Sequence, residues 1–239
     1  MNGGVFIYVG QTQSGKTTKA LEDARAEIRG DGLPLLVLDL GPARNFRGTR
    51  HESDRGAVLQ RLYGLQSHAV YTPADMEDFD SLIQGIAKVG NIHVLLDEVR
   101  WVASHNHISL ELTKALRHWA HGDEGPVSYR CTSQRPGDLH RDFYACLTGE
   151  LYAFRTAPGV DLDRLVKEFH FDPNVLSTLD RGAYLTYSGT WEEPKEDNLS
   201  EHGRVFEQGE GEAKTEPYEV VEVPEKDPES TVLPPEAPV

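Results

Sequence analysis

The residues that could do chemistry begin with a glycine-rich stretch, GQTQSGKTT, which spans residues 10 to 18 and directly follows the apolar run VFIYV. Its spacing fits the phosphate-binding loop pattern, in which a lysine and a hydroxyl residue follow the second glycine. In such a loop, backbone N–H groups and a helix N-terminus face the phosphates, and the lysine reaches the β- and γ-phosphates. The stretch therefore predicts a site for ATP or a similar nucleotide. Its candidate residues are Gly10, Gln11, Thr12, Gln13, Ser14, Gly15, Lys16, Thr17 and Thr18.

Two acidic residues, Asp97 and Glu98, follow the apolar run IHVLL and would supply the second half of such a site. The Asp97 carboxylate and the Thr17 hydroxyl are oxygen ligands of the kind that Mg²⁺ prefers. Glu98 is placed to orient or deprotonate an attacking water, which favours hydrolysis over transfer of the phosphate to a small molecule. The plainer alternative is a pair of solvated carboxylates that end a strand.

A third polar group, CTSQRP, occupies residues 131 to 136 and ends another apolar run. The amide of Gln134 would lie close to the γ-phosphate there and could sense its loss. As bare chemistry, Gln134 could equally be a loop residue in a turn that Pro136 sets. The spacing alone leaves both interpretations open.

These three groups stand in a chain whose short apolar runs alternate with helical patterns. The alternation predicts an α/β fold with right-handed crossovers and a mostly parallel central sheet, covered by helices on both faces. Ligands of such sheets bind at the carboxyl ends of the strands, where all three groups fall. Helices are expected up to residue 30, near 58–62, and over 75–90, 109–121, 138–146 and 161–169. Strands are expected at 5–9, 35–40, 69–71, 92–96, 127–131 and 151–154, with a hairpin or edge strands in 182–191.

Acidic residues are concentrated near the end of the chain. From residue 192 to residue 239, 15 Asp and Glu stand against 4 Lys and Arg, so this segment carries −11 of the formal net charge of −15. It is also rich in proline and poor in large apolar residues, and cannot bury enough surface to offset its ordering entropy. We therefore expect one folded domain over residues 1–191 and a disordered acidic tail over 192–239. The tail either keeps the protein soluble or has a partner-docking or DNA-mimicking role.

The remaining composition bears on location. A chain of 239 residues suits one substantial α/β domain, and its two cysteines make no disulfide framework. The sequence shows no signal-peptide pattern and no transmembrane segment of about 18 apolar residues, so we expect a soluble protein of the cytoplasm. Four histidines between residues 105 and 121 lack a partner of the C-x-x-C kind and are expected to be surface residues, not zinc ligands.

The combination of GxTxSGKT, LLDE and SQRP, in this order and spacing, resembles the FtsK/HerA superfamily of DNA-pumping P-loop ATPases. The resemblance covers about residues 4–191 and is greatest to the genome-packaging ATPases of tailless viruses with an internal membrane. It implies a RecA-like core that uses ATP and Mg²⁺ and works as a ring, a hexamer, around double-stranded DNA. Gln134 matches the sensor glutamine of that superfamily, whereas Gln13 replaces a glycine of its common loop.

The resemblance also implies an arginine finger, which a neighbouring subunit places against the γ-phosphate. Arg117, in LTKALRHWA, is the best match upstream of the glutamine, and Arg100, Arg130 and Arg135 are competitors. The alternative for Arg117 is an ordinary exposed helix residue.

The function implied by these features is a motor that hydrolyses ATP to translocate double-stranded DNA and packages a viral genome into a preformed capsid. Such a motor would contact the DNA backbone without sequence preference, and the arginine-rich stretch 43–55 could face it. It would work in the host cytoplasm or at the packaging vertex of the virion, against a capsid or membrane vertex protein. Two alternatives are a membrane-linked morphogenesis or secretion ATPase like the zonula occludens toxin-like proteins, and a P-loop switch without motor activity.

Overall fold

Seven helices and nine strands form in the part of the chain that the computed structural model describes, namely residues 3–41, 46, 52, 54–64, 68–104, 106–118, 120 and 125–188. The expected acidic tail and most of the arginine-rich stretch lie outside these residues. The helices are α1 (Lys16–Asp31), α2 (Arg55–Tyr63), α3 (Met76–Val89), α4 (Leu110–Arg117), α5 (Arg141–Ala145), α6 (Val160–Phe169) and α7 (Pro173–Thr178). The strands are β1 (Gly4–Val9), β2 (Leu35–Asp39), β3 (Ala69–Tyr71), β4 (Ile92–Asp97), β5 (Ala103–Ser104), β6 (His107–Ile108), β7 (Val127–Ser133), β8 (Glu150–Phe154) and β9 (Tyr184–Ser188).

Seven of these strands build one sheet in the order β3-β2-β4-β7-β1-β8-β9. Neighbouring strands are parallel except for β9, which pairs antiparallel with β8 at one edge. The first strand of the chain therefore lies in the middle of the sheet, between two strands that come much later. The predicted α/β fold with a mostly parallel sheet is confirmed, and the predicted edge strand is β9.

Strands β1 and β2 are apolar runs and β4 is mostly apolar, because both faces of the sheet are covered. The two faces are covered unequally. Helices α2 to α7 contribute to the core on one face, whereas within the described residues α1 alone packs on the other. There Ala20, Leu21 and Ala24 lie against side chains of β1 and β4 that include Tyr8 and Leu95. Among the described helices, the one that follows the phosphate-binding loop thus covers this face of the central strands alone.

Polar residues fix where the helices begin. The side chains of Asp75 and Ser109 accept the backbone N–H groups of Asp78 and Leu112, which starts α3 and α4. Asp172 caps α7 in the same way, with Pro173 in the first turn.

Two predicted helices are shorter than expected, and two elements were not predicted. Helix α4 ends at Arg117, short of the predicted residue 121. Helix α5 begins at Arg141 and not at residue 138, because residues 136–138 form a 3₁₀ turn and the His140 side chain caps the helix by accepting the Asp142 N–H. The hairpin of β5 and β6 and the helix α7 were not predicted, since each is too short to show a period. The D-P pair at residues 172 and 173 was the available signal for α7.

A buried charge cluster, formed by Arg130, His93, Glu27 and Asp31, lies between α1 and the sheet. The side chains of Arg130 and His93 are fully buried. Arg130 pairs with Glu27, while His93 Nε2 lies 3.0 Å from Asp31 Oδ2 and its Nδ1 lies 3.4 Å from Glu27 Oε2. The two acids belong to α1, and the two bases belong to β4 and β7. The cluster therefore connects the helix to the two strands that end at Asp97 and just before Gln134.

The cluster predicts a pH dependence of stability. Burial lowers the pKa of His93 from its ordinary value of 6.5, and Arg130 adds to the shift while Asp31 and Glu27 oppose it. The unfolded chain therefore binds a proton at His93 at a higher pH than the folded chain does. As far as His93 is concerned, the free energy of unfolding has its full value above pH 6.5 and decreases as the pH falls below it. The slope for one proton is at most about 1.4 kcal/mol per pH unit. In denaturant titrations between pH 5 and 7.5, His93→Gln should flatten the pH profile, and the exposed His107→Gln should leave it unchanged.

Candidate active site

The phosphate-binding loop is anchored between the ends of two strands. The Gly10 N–H donates to the carbonyl of Ser133 at 3.3 Å, and the Gln11 N–H donates to the carbonyl of Arg155 at 2.9 Å. A Cβ at position 10 would lie 2.8 Å from the Phe154 Cβ, and Gly10 has a φ of 144°, so only glycine fits there. The loop therefore starts at the carboxyl edge of the sheet, between β7 and β8, as the sequence predicts for a ligand site.

Gln13 adopts a left-handed conformation, with a φ of 62°. A glycine takes this conformation at no steric cost, whereas another L-residue pays of order 1 kcal/mol. The replacement of the loop glycine by Gln13 therefore strains the backbone, because the loop needs a positive φ at this residue. Its side chain is exposed, so the strain is confined to the backbone.

Lys16 is the first residue of α1, and its side chain is buried beneath the loop. Its exposed fraction is 4%, and its Nζ donates to the carbonyl of Gln11 at 2.9 Å. Burial lowers the pKa of Lys16, although the charges of Glu98 and Asp97 oppose the shift. The N-terminus of α1 has no side-chain cap, so its first N–H groups are directed into the loop. A buried cation and an uncapped helix N-terminus are what an anionic phosphate requires.

Thr17 and Asp97 meet directly. The Thr17 hydroxyl donates to Asp97 Oδ1 at 2.8 Å, and a second hydroxyl, that of Thr132 on β7, donates to the same oxygen at 2.8 Å. Asp97 itself is fully buried. Sequence reasoning missed Thr132, although it stands in the CTSQRP group, because the alignment of β7 with β4 is a property of the sheet register.

Glu98 has an unusual backbone that is held from several sides. Its φ is 62° and its ψ is 57°, and its N–H donates to the Thr132 hydroxyl at 2.9 Å. Its Oε2 accepts the backbone N–H of Gln134 at 3.3 Å. Burial raises the pKa of Glu98, while the charge of Lys16 and the bonds from Gln134 oppose the shift. The backbone of Glu98 is thus strained and its carboxylate is desolvated. Both are features of residues that act as general bases.

Two residues at the end of β2 also border the acidic pair, and sequence reasoning missed both. Asp39 is fully buried and stands beside Asp97 in the strand register. Gly41 lies against Glu98, since a Cβ at position 41 would be 3.2 Å from the Glu98 Cγ. The absence of a side chain at residue 41 therefore sets how closely the chain packs on the candidate base.

Gln134 connects the third group to the first two. Its Oε1 accepts the Thr12 hydroxyl at 2.7 Å, while its backbone N–H bonds to Glu98. All three predicted groups are thus in hydrogen-bond contact at one edge of the sheet. Gln134 does lie in the loop before the turn that begins at Pro136, and it also contacts the phosphate-binding loop; its role as a sensor stays a prediction.

Arg117 is separated from this edge. It is the last residue of α4, its side chain is about half exposed, and it donates to Asp142 Oδ1 at 2.8 Å. Ala120, just beyond it, packs against Gly3, which precedes β1 and so marks the amino end of the strands. Arg117 does not join the phosphate loop of its own chain, and its role as a finger from a neighbouring subunit stays a prediction.

The competing arginines differ sharply in exposure. Arg130 is fully buried in the charge cluster, so it cannot reach another molecule. Arg135 is about half exposed but pairs with Asp161 at 2.7 Å. Arg100 stands two residues after Glu98, and its guanidinium carbon lies 5.3 Å from the ring centroid of Trp101.

The oxygen atoms of Thr17 and Asp97 form a donor set that suits Mg²⁺. Thr17 and Asp97 offer only oxygen atoms at the loop, which suits a hard cation that keeps several waters and binds nucleotide phosphates. No group of three or more His, Cys, Asp or Glu residues converges on a metal site within the described residues. The residues present at the loop therefore fit a magnesium ion that a nucleotide brings. No helix in the described ranges is long and apolar enough to cross a membrane.

The sheet order, the loop after β1 and the helix that follows it define the fold class of P-loop NTPases. Among solved structures, the chain is similar to the genome packaging NTPase B204 from Sulfolobus turreted icosahedral virus 2. The complex with AMP has a TM-score of 0.64 and 15% identity, and the match covers 79% of this chain and 93% of that one. The complex with ATP-gammaS has a TM-score of 0.63, 17% identity and the same coverage.

B204 from Sulfolobus turreted icosahedral virus, a DNA-packaging ATPase, also matches with a TM-score of 0.63 and 17% identity over 79% of this chain and 94% of that one. No family model and no curated protein sequence matches the chain. The comparisons thus establish a shared fold, in agreement with the predicted resemblance to packaging ATPases.

Proposed function

We propose that the protein is a Mg²⁺-dependent ATPase. The observation that carries the proposal is the convergence of Lys16, Thr17, Asp97, Glu98 and Gln134, three separate sequence groups, around one loop. Carboxylates and hydroxyls that end a strand in a chance arrangement would not bond to a phosphate-binding loop in this way.

Each residue has a distinct part in the proposed reaction. The loop N–H groups and Lys16 bind the β- and γ-phosphates, and Thr17 with Asp97 would hold Mg²⁺, which neutralises phosphate charge when bound. Glu98 orients the attacking water and accepts its proton, for which its raised pKa is suited. Gln134, bonded to both Thr12 and Glu98, would respond to the presence of the γ-phosphate.

We further propose that hydrolysis drives translocation of double-stranded DNA, in the packaging of a viral genome into a preformed capsid. The support is the fold shared with B204 together with the three sequence groups of the DNA-pumping ATPases. On this proposal the ATPase domain spans residues 1–191 and acts as a ring, a hexamer, with Arg117 as the finger in trans. It works in the host cytoplasm or at the packaging vertex, beside a capsid or membrane vertex protein, and the acidic segment 192–239 is a disordered tail.

The decisive experiment measures ATP hydrolysis by the purified protein with and without duplex DNA, together with its mass in solution. A motor should assemble into a ring and hydrolyse ATP faster when DNA is present, and the stimulation should fall steeply with salt. A monomer that hydrolyses ATP at a rate indifferent to DNA would contradict the motor. Binding of ATP without turnover under all conditions would instead favour a nucleotide switch.

A further inference from the structure

A turn that directly follows Gln134 is held by another element of the fold. This sensor turn comprises residues 135 to 139. The Asp161 carboxylate, in the first turn of α6, accepts the Arg135 Nε at 2.7 Å through Oδ2 and the Gly137 N–H at 2.8 Å through Oδ1. One side chain therefore holds both a side chain and the backbone of the turn.

A second residue of α6 binds the far half of the sensor turn. The Arg164 Nη1 donates to the carbonyls of Gly137 at 3.0 Å and Leu139 at 2.9 Å, and Glu168 holds its Nε at 2.9 Å. The guanidinium carbon also lies 4.8 Å from the ring centroid of Tyr144, whose hydroxyl donates to the Pro136 carbonyl at 2.9 Å. The half of the turn near Leu139 is thus fixed by several contacts at once.

In the half of the turn nearer to Gln134, Asp161 binds the Arg135 side chain and the Gly137 N–H, while Tyr144 and Arg164 bind carbonyls. A groove of about 330 Å³ lies there, and Gln11, Thr12, Gln134 and Asp161 are among the residues that line it. The Arg135 side chain is half exposed and is held by its bond to Asp161, while its backbone N–H donates to the Ser133 hydroxyl at 3.2 Å. Because Gln134 bonds to Thr12 and Glu98, a shift of the residue that follows it would misalign the candidate sensor and the candidate base together.

We propose that Asp161 is a positioning residue for ATP hydrolysis, acting through Gln134, and that α6 is thereby coupled to the state of the nucleotide site. This inference rests on the proposed ATPase function. Asp161 does not reach the phosphate loop itself, so it affects the hydrolytic step and leaves nucleotide binding to Lys16 and the loop.

The test compares full-length Asp161→Ala with Asp163→Ala, a matched control that removes an exposed carboxylate from the same first turn of α6. Displacement of a reacting group by about 1 Å can cost about 100-fold in rate, so Asp161→Ala should lower kcat by about 10- to 100-fold with KM for ATP within about 3-fold. Asp161→Asn, which can still accept the Gly137 N–H, should fall between Asp161→Ala and wild type. Asp163→Ala should behave as wild type.

A double-mutant cycle with Gln134→Ala separates positioning from simple stability. If Asp161 acts through Gln134, then adding Asp161→Ala to Gln134→Ala should cost less than Asp161→Ala costs in the wild type, because the bond from Thr12 is already lost and only the backbone bond to Glu98 remains to be displaced. Additive losses, or an unchanged kcat in Asp161→Ala, would overturn the inference while leaving the ATPase intact. Assays well below the thermal midpoint of each variant keep unfolding out of the comparison. An inactive wild type, even with DNA, would overturn the proposed function and this inference together.

Discussion

Replacing Glu98 with glutamine should lower the rate of ATP hydrolysis by about 10²- to 10⁴-fold, the usual contribution of a general base, and leave ATP binding intact. Glutamine keeps the size of the side chain and can still accept the Gln134 N–H, so the packing against Gly41 is preserved. What is lost is the ability to take a proton from water. Single-turnover hydrolysis and equilibrium ATP binding would measure the two effects separately.

The pH profile of the wild type gives an independent reading of the same residue. Because burial raises the pKa of Glu98 and the base acts as a carboxylate, hydrolysis should increase with pH through that raised pKa. In Glu98→Gln this limb of the profile should vanish. The control is Glu77→Gln, which alters an exposed acid in the first turn of α3. Turnover by Glu98→Gln at the wild-type rate would refute the assignment of the base.

Replacing Lys16 with alanine should weaken ATP binding by about 10- to 100-fold, the equivalent of one charge-assisted contact worth roughly 1.5–3 kcal/mol, and abolish measurable turnover. The side chain is buried beside two carboxylates, so no other cation in the described loop takes its place. Calorimetric titration with a non-hydrolysable ATP analogue would measure the affinity.

The fold of Lys16→Ala should be preserved. Burial lowers the pKa of this lysine, which means that its positive charge is less favourable in the folded protein than in water. Removing that charge should therefore not unfold the domain. Far-ultraviolet circular dichroism and a thermal melt would check this point. Lys88→Ala, which removes an exposed lysine from α3, serves as the control. Equal ATP affinity in the Lys16 and Lys88 variants would contradict the placement of the nucleotide in this loop.

Much of the sheet could be predicted because its signals are local. Strands β1 and β2 are apolar runs bounded by turn residues, and β3 appears at its predicted residues. The groups GQTQSGKTT, LLDE and SQRP each follow such a run. Parallel strands place their ligand sites at one edge of the sheet. The position of the three groups at the ends of successive strands was therefore enough to predict that the groups would lie together.

The contacts between distant elements could not be predicted in the same way. Thr132 bonds to Asp97 because β7 lies beside β4, and Asp161 reaches the sensor turn because α6 packs next to it. Neither contact is indicated by a hydrophobic period or by a sequence motif. The burial of Arg130 could not be predicted either. An arginine within a strand suggests exposure to solvent unless its acidic partner, Glu27 on α1, is known.

The central position of β1 has a consequence for how the protein is made. A chain is synthesised from its N-terminus, yet β1 pairs with β7 and β8, so that Gly4 is matched with Ser128 and Ile7 with Leu151. The Ser14 carbonyl accepts the N–H of Gly182, close to the last strand. The emerging loop therefore lacks its supports until most of the domain has left the ribosome, and such distant pairing slows folding. Nucleotide would consequently stabilise finished chains and not nascent ones.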